Sequence, residues 1–262
     1  MPSVSENKQE WNTTYAWERD GDEWSDPWGG PRAQWFGALL PRIFLFLGAG
    51  VRVLEIAPGR GRWTQFLKDQ CESLVAVDLS PTCIEHCQRQ FGHCANIEMF
   101  VNDGLTLPMV ADASIDFVFS FDSLVHAEAE ALESYVRELS RKLKPGGAGF
   151  IHHSNLGGMR RSVLDKIRRR LSGKVVEQHW RSPSMSADRM RQLCADNRMT
   201  CVFQEIIPWG EIGWPAPIDC LSTIVNQAGL PNSVFHNDRF MKEAQAIKRL
   251  AALKTGAGTK QL

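Results

Sequence analysis

Between Val51 and Asp78 the chain reads VRVLEIAPGRGRWTQFLKDQCESLVAVD: an apolar run, a glycine turn, a short helical stretch, and a second apolar run closing on a carboxylate. Val53, Leu54 and Ile56 form the apolar set of a buried-type strand. Gly59 and Gly61 then let the chain turn sharply and bring backbone amides close to a ligand. Trp63 to Lys68 starts a helix, and Leu74 to Val77 is a second buried strand. Two such strands joined by a helix make a βαβ unit, which places the chain among α/β proteins with a parallel sheet. Asp78 stands at the end of the second strand, where an acidic side chain can hydrogen-bond both hydroxyls of a ribose.

The wording of the turn narrows the ligand. A dinucleotide site calls for G-x-G-x-x-G, and Thr64 occupies the third glycine position. Glu55 precedes the glycines in E-I-A-P-G-R-G, and a carboxylate there suits a ligand with a cationic amino-acid end. Together with the L-K-P-G-G turn at 143–147, this resembles the class I S-adenosylmethionine-dependent methyltransferases, whose first motif is commonly E/D-x-G-x-G-x-G; Ala57 and Pro58 depart from it. The resemblance covers residues 50–155 and extends more loosely to residue 225. It implies a Rossmann-like fold with a seven-stranded, mostly parallel sheet and helices on both faces. It also implies S-adenosylmethionine as cofactor, held by Glu55, Ala57, Gly59, Gly61, Trp63, Asp78, Leu79, Asp103, Gly104 and Phe121. Asp103, after a third strand at Ile97 to Val101, is the residue it assigns to the adenine amino group.

Composition sets the boundaries. Lys plus Arg and Asp plus Glu both total 30, and a net charge of zero argues against nucleic acid as a dominant electrostatic partner. No target motif of the N-P-P-Y type is present either. No apolar run approaches the length of a membrane span, and the polar start MPSVSENKQEW lacks a signal core, so the expectation is a cytoplasmic protein with no membrane partner. Seven cysteines, odd in number and without a CxxC pair, argue against a disulfide framework. Cys83, His86, Cys87, His93 and Cys94 hold zinc-type donors, but Cys83 and Cys87 lie four apart on a helix and read as its sheet-facing side.

Residues 1–48 read as an aromatic-rich cap and helix, 49–232 as the cofactor-binding domain with a lid insertion at 156–182, and 233–262 as a C-terminal helix and tail. Five of the nine tryptophans lie between residues 10 and 36, interleaved with acidic residues, and this segment is expected to fold over the cofactor mouth. Ser80-Pro81 caps a helix to Phe91; Ile115 to Phe121 is a fourth strand, and Ala148 to Ile151 a fifth. The insertion places Met159, Val163, Ile167 and Leu171 on one helical face and a basic set on the other, which suits a lid or a contact in a homo-oligomer. Thr200 to Ile207 and Asp219 to Val225 pair as final strands.

In open α/β sheets ligands gather at the carboxyl edge of the strands. Asp122, His126, His152 and His153 follow the fourth and fifth strands there. An alcohol is a poor nucleophile that needs a general base or a metal, so this density favours an oxygen acceptor. The expected catalytic residues are His126 and His153 as bases and Asp122 as their partner. Trp28, His152, Asn155 and Trp209 are expected on the acceptor, and Asp122 with His152 and His153 could instead hold Mg. The blocks FVFSFDSLVH and FIHHSN are similar to bacterial methyltransferases of sugar and polyketide tailoring, which implies O-methylation of a saccharide or glycosylated small molecule. Two other readings stay open: N- or carboxyl-methylation of a small metabolite, and a non-catalytic S-adenosylmethionine-binding regulator. Asp78 also admits an NAD-dependent dehydrogenase.

Overall fold

The computed structural model describes residues 3–159, 181–209 and 216–254. Among these residues one sheet holds eight strands: β1 (Gly48–Ile56), β2 (Cys71–Asp78), β3 (Ile97–Val101), β4 (Ile115–Ser120), β5 (Leu143–Ser154), β6 (Thr200–Ile207), β7 (Asp219–Val225) and β8 (Ser233–His236). Their order is β3-β2-β1-β4-β5-β7-β6-β8. β1 to β5 run parallel, while β7 is antiparallel to both β5 and β6. The doubly wound architecture is the expected one, with one strand more than the seven expected. The extra strand, β8, pairs parallel with β6 at the sheet edge, and all four of its residues are exposed. It therefore lacks the alternation of apolar and polar positions by which a half-buried strand shows itself.

Strand periodicity divides the core in two. Leu54, Val75, Val77, Val118 and Ile151 face one layer, which the helices Ala129–Lys142 and Ala187–Asp196 cover with Leu132, Val136, Leu139, Met190 and Leu193. Val53, Leu74, Phe117, Phe119 and Phe150 face the other, where Trp28, Trp35, Leu39 and Phe240 pack. The helix of the cap, which the apolar period places from Arg32 to Phe46 with Pro41 interrupting or beginning it, is broken there: it widens into a π turn over Trp35–Leu39, resumes at Leu40–Ile43 and ends in a 3-10 turn. Pro41, which has no N–H to donate back into the preceding turn, sits at the break. The C-terminal helix Phe240–Lys254 lies against the same layer, with Ile247 packed over the bare backbone of Gly37. Most of the expected lid insertion (160–180), part of the loop from Pro208 to Pro215 that its tryptophans mark as a wall of the acceptor pocket (210–215), and the tail from 255 lie outside the described residues. Among those described, no helix is long and apolar enough to cross a membrane.

Candidate functional site

From β1 the chain winds outward through β2 to β3, then returns on the other side of β1 as β4, so the loops leaving β1 and β4 diverge and open a crevice. A cavity of about 300 Å³ occupies that crevice. Its floor is the glycine turn and the residues just past β2, β3 and β4; its roof is the N-terminal segment, through Asn7, Trp11, Trp17 and Trp24. Those rings pack on one another at centroid distances of 5.1 to 6.0 Å, together with Tyr15. The roof is tied down by Asn12, whose Oδ1 accepts from the Ser80 hydroxyl at 3.1 Å and the Thr82 N–H at 3.2 Å. Asn7 donates to the His126 carbonyl at 3.2 Å.

Two residues of the floor hold a conformation that L side chains avoid: Ala57 at φ 59° and Asp122 at φ 65°. Left-handed non-glycine residues cost about 1–3 kcal/mol each and cluster at functional sites. The Ser123 hydroxyl joins the two turns by donating to the Ala57 carbonyl at 2.8 Å. Asp122 also forms a buried ion pair with Arg62 at 2.7 Å, and the Arg62 guanidinium lies over the rings of Trp24 and Trp63.

Of the expected cofactor residues, Ala57, Gly59, Trp63, Asp78, Leu79, Gly104 and Phe121 line the cavity. The Asp78 carboxylate accepts the Gly59 N–H at 3.0 Å and the Ser80 N–H at 2.8 Å. Burial pushes this carboxyl up to about 6 against the pull of those two amides. Three others lie elsewhere. Glu55 is buried beneath the turn, where the Thr64 hydroxyl donates to it at 2.6 Å, and burial raises its carboxyl to about 8. Gly61 is a packing glycine: at φ 90° an added Cβ would come within 2.5 Å of Phe91. Asp103 is exposed and turned back on its own loop, accepting from the N–H groups of Leu105 and Thr106.

The expected catalytic set divides as well. His126 and Asp122 line the cavity, and the His126 ring stands 5.2 Å from Trp11. His152 and His153 are fully buried, and neighbouring residues of a strand point to opposite faces, so one acceptor or one Mg ion cannot meet both. His153 is held between the Ser154 carbonyl at 2.9 Å and the Ser222 hydroxyl at 2.8 Å, and burial lowers it to about 4. His152 packs on the other side, against Phe121 and Trp209. Trp28 and Trp209 stack with Phe240 in the core rather than in the cavity. Asn155 bonds the Pro217 carbonyl and the Ala187 N–H. Among the described residues no three His, Cys, Asp or Glu side chains are grouped to hold a metal. Cys83 and Cys87 are the buried face of their helix, as their spacing suggests. Arg62 and Ser123 belong to the site without having been singled out in the sequence; the one signal for Arg62 is a second arginine within the glycine turn.

The lining fits a nucleoside. Gly59 and Gly104, both at positive φ, present bare backbone where a Cβ would crowd Trp17 or Val4 within 3.0 to 3.1 Å, and the Asp78 carboxylate stands beside them.

Residues 53–147 match the family model described as a methyltransferase domain. Over 106 residues the chain is 33% identical to the biotin biosynthesis bifunctional protein BioHC of Cellvibrio japonicus, a stretch that is 40% of this chain and 20% of that protein. Over 108 residues it is 32% identical to phosphoethanolamine N-methyltransferase 1 of Triticum aestivum, covering 40% of this chain and 22% of that one. The matches thus span about a fifth of these curated relatives' length. The fold is shared with a solved S-adenosylmethionine-dependent methyltransferase of Methanosarcina mazei, at 15% identity, TM-score 0.54, 73% of this chain and 99% of that one. The PH0226 protein of Pyrococcus horikoshii OT3 shares it at 22% identity, TM-score 0.53, 74% and 90%. Sheet order and cavity position thus agree with the match over residues 53–147: the chain has the Rossmann-like fold of the solved methyltransferases, and within it a stretch similar to a methyltransferase domain.

Proposed function

We propose that this chain transfers a methyl group from S-adenosylmethionine to a hydroxyl of a small molecule, with a saccharide or glycosylated metabolite as the acceptor class. The observation that carries the proposal is that Asp78 and His126 line one cavity under an indole-rich roof. When bound, the cofactor supplies an electrophilic methyl group. Asp78 would accept from the ribose hydroxyls, and Gly59 and Gly104 would let the backbone approach the ligand. His126 takes the acceptor's proton, which an alcohol must lose on attack, and passes it to solvent. Trp11, beside His126, gives a sugar ring an apolar face to stack on. Residues 1–48 serve as the cap of a domain running from 49 to 232, and the helix within 233–262 braces the cap from below.

A second reading has specific support. Of four ionisable groups expected at the acceptor, the two buried histidines face away from the cavity and Asp122 is engaged by Arg62, which leaves His126 as the base. An amine attacks unaided once neutral and needs less of a base, and one of the relatives is named as an N-methyltransferase.

His126→Ala separates the readings. Calorimetry with S-adenosylhomocysteine should give unchanged affinity, while turnover of a hydroxyl acceptor falls at least about 100-fold. An amine acceptor methylated equally well by both proteins would overturn the hydroxyl reading. Tight cofactor binding with no acceptor turned over would leave a binding protein without catalysis.

A further inference from the structure

His152 does not reach the cavity, yet one hydrogen bond connects it there. Its Nδ1 accepts the backbone N–H of Asp122 at 3.1 Å. A neutral imidazole accepting through one nitrogen carries its proton on the other, so Nε2–H is the nitrogen that faces Asp219 Oδ2, 3.2 Å away. Asp219 is itself fully buried and gripped by Arg181, with Nε to Oδ1 at 3.1 Å and Nη2 to Oδ2 at 2.9 Å. Burial favours protonation of this carboxyl, but Arg181 and His152 outweigh it and hold the group well below the ordinary carboxylate range. Asp219 is therefore an anion fixed by Arg181 and facing the His152 ring.

The residue held by that ring is the strained one. Asp122 stays at φ 65° and delivers its carboxylate to Arg62, whose guanidinium forms the cavity wall with Trp24 and Trp63. Relaxation of Asp122 to an ordinary conformation would withdraw the carboxylate and strand a buried guanidinium, which is costly. Nδ1 of His152 bonds the turn, while Nε2 faces the Asp219 carboxylate at 3.2 Å.

We propose that His152 and Asp219 are positioning residues for the cofactor site, holding Asp122 in its left-handed conformation and thereby setting Arg62 against the roof. The ligand named in the test follows from the methyltransferase reading above. His152 exchanges no proton with substrate; it acts through Asp122.

The experiment uses the full chain with His152→Ala, His152→Asn and Asp219→Asn. Three quantities are read: thermal stability, affinity for S-adenosylhomocysteine, and the Trp24 indole N–H resonance of the unliganded protein, assigned with Trp24→Phe. An asparagine Oδ1 can accept the Asp122 N–H as the imidazole does. The expected result is a loss of affinity of about tenfold and a shifted Trp24 resonance in His152→Ala, with both largely restored in His152→Asn. In an Asp122→Gly background, where left-handed φ carries no penalty, His152→Ala should change affinity no further. A His152→Ala protein that melts earlier but keeps wild-type affinity and an unmoved Trp24 resonance overturns the proposal, as does a His152→Asn protein no better than the alanine. If His152→Ala fails to fold, Asp219→Asn carries the comparison: it should shift Trp24 in the same direction, and an unmoved resonance overturns the proposal. Failure of the wild-type chain to bind S-adenosylhomocysteine sinks the methyltransferase reading instead, and the ligand-free Trp24 resonance still decides whether His152 holds the turn.

Discussion

Asp78 is poised between two demands. In the role of ribose acceptor proposed above it must be ionised, whereas its burial at the end of β2 pushes its carboxyl up to about 6. The free protein and the liganded one should therefore answer oppositely to pH. A carboxyl raised above its unfolded value contributes stability that is complete below about 4 and is lost as pH rises through about 6. Binding that needs the carboxylate gains over the same interval. Affinity for S-adenosylhomocysteine should be about tenfold weaker at pH 5 than at pH 7.5, with a midpoint near 6, and Asp78→Asn should flatten the profile at the weak end. A wild-type profile level from pH 5 to 7.5 would remove Asp78 from the binding site. At this scale sequence was informative about where a residue sits. That Asp78 and His126 line the cavity was legible because both sit just past a carboxyl edge. His152 and His153 carried the same signal, and the strand period already put them on opposite faces. Which face opened to the cavity depended on packing against Trp209 and Ser222, residues more than fifty positions away.

Elements were legible where a cap or a continuous apolar run defined them. Ser80 caps the helix Pro81–Phe91 as its position before the proline indicates, its hydroxyl accepting the Cys83 N–H. β3, β6 and β7 match the apolar runs that announced them. β8 was not, since pairing with β6 made it; the break in the helix after Gly30 was legible at Pro41, but the π turn that precedes it was not. The glycine turn shows how one motif can carry two unlike roles. Gly59 lines the cavity, whereas Gly61 allows the helix Pro81–Phe91 to approach the turn, with Phe91 and Cys87 against it. Gly61→Ala should thus act through packing: a Cβ 2.5 Å from Phe91 on a backbone at φ 90° must displace the ring or the turn. A loss of about 2–4 kcal/mol in urea unfolding is expected from overpacking and conformational strain together. Gly61→Ala with Phe91→Ala should recover part of the overpacking cost, relative to the two single losses summed. Additive losses in that double variant would contradict the contact.

The whole molecule is organised as a sheet edge with its own N-terminus folded back over it. Arg60 pairs with Asp20 at 2.8 Å and lies over Trp17, while Asn12 bonds Ser80 and Thr82, so the roof is held by a few polar links across a largely aromatic cavity. A ligand lying between floor and roof touches both, so it should hold the roof down. Lys8 and Arg19 are exposed on that roof and give trypsin two points of attack whose cleavage requires local opening. If opening precedes cleavage and reclosing is fast, a ligand that binds only the closed form slows cleavage by the factor 1 + [L]/Kd. At a hundredfold excess over Kd, S-adenosylhomocysteine should then slow cleavage after Lys8 and Arg19 by up to about 100-fold, while sites remote from the cavity on the C-terminal helix, such as Lys248, are protected much less. Trp11→Ala, which removes the ring between His126 and the other roof indoles, should weaken this protection in proportion to its loss of affinity. Equal cleavage rates at Lys8 and Arg19 with and without ligand would mean that the segment is no roof to the bound state, whatever it covers in the free protein.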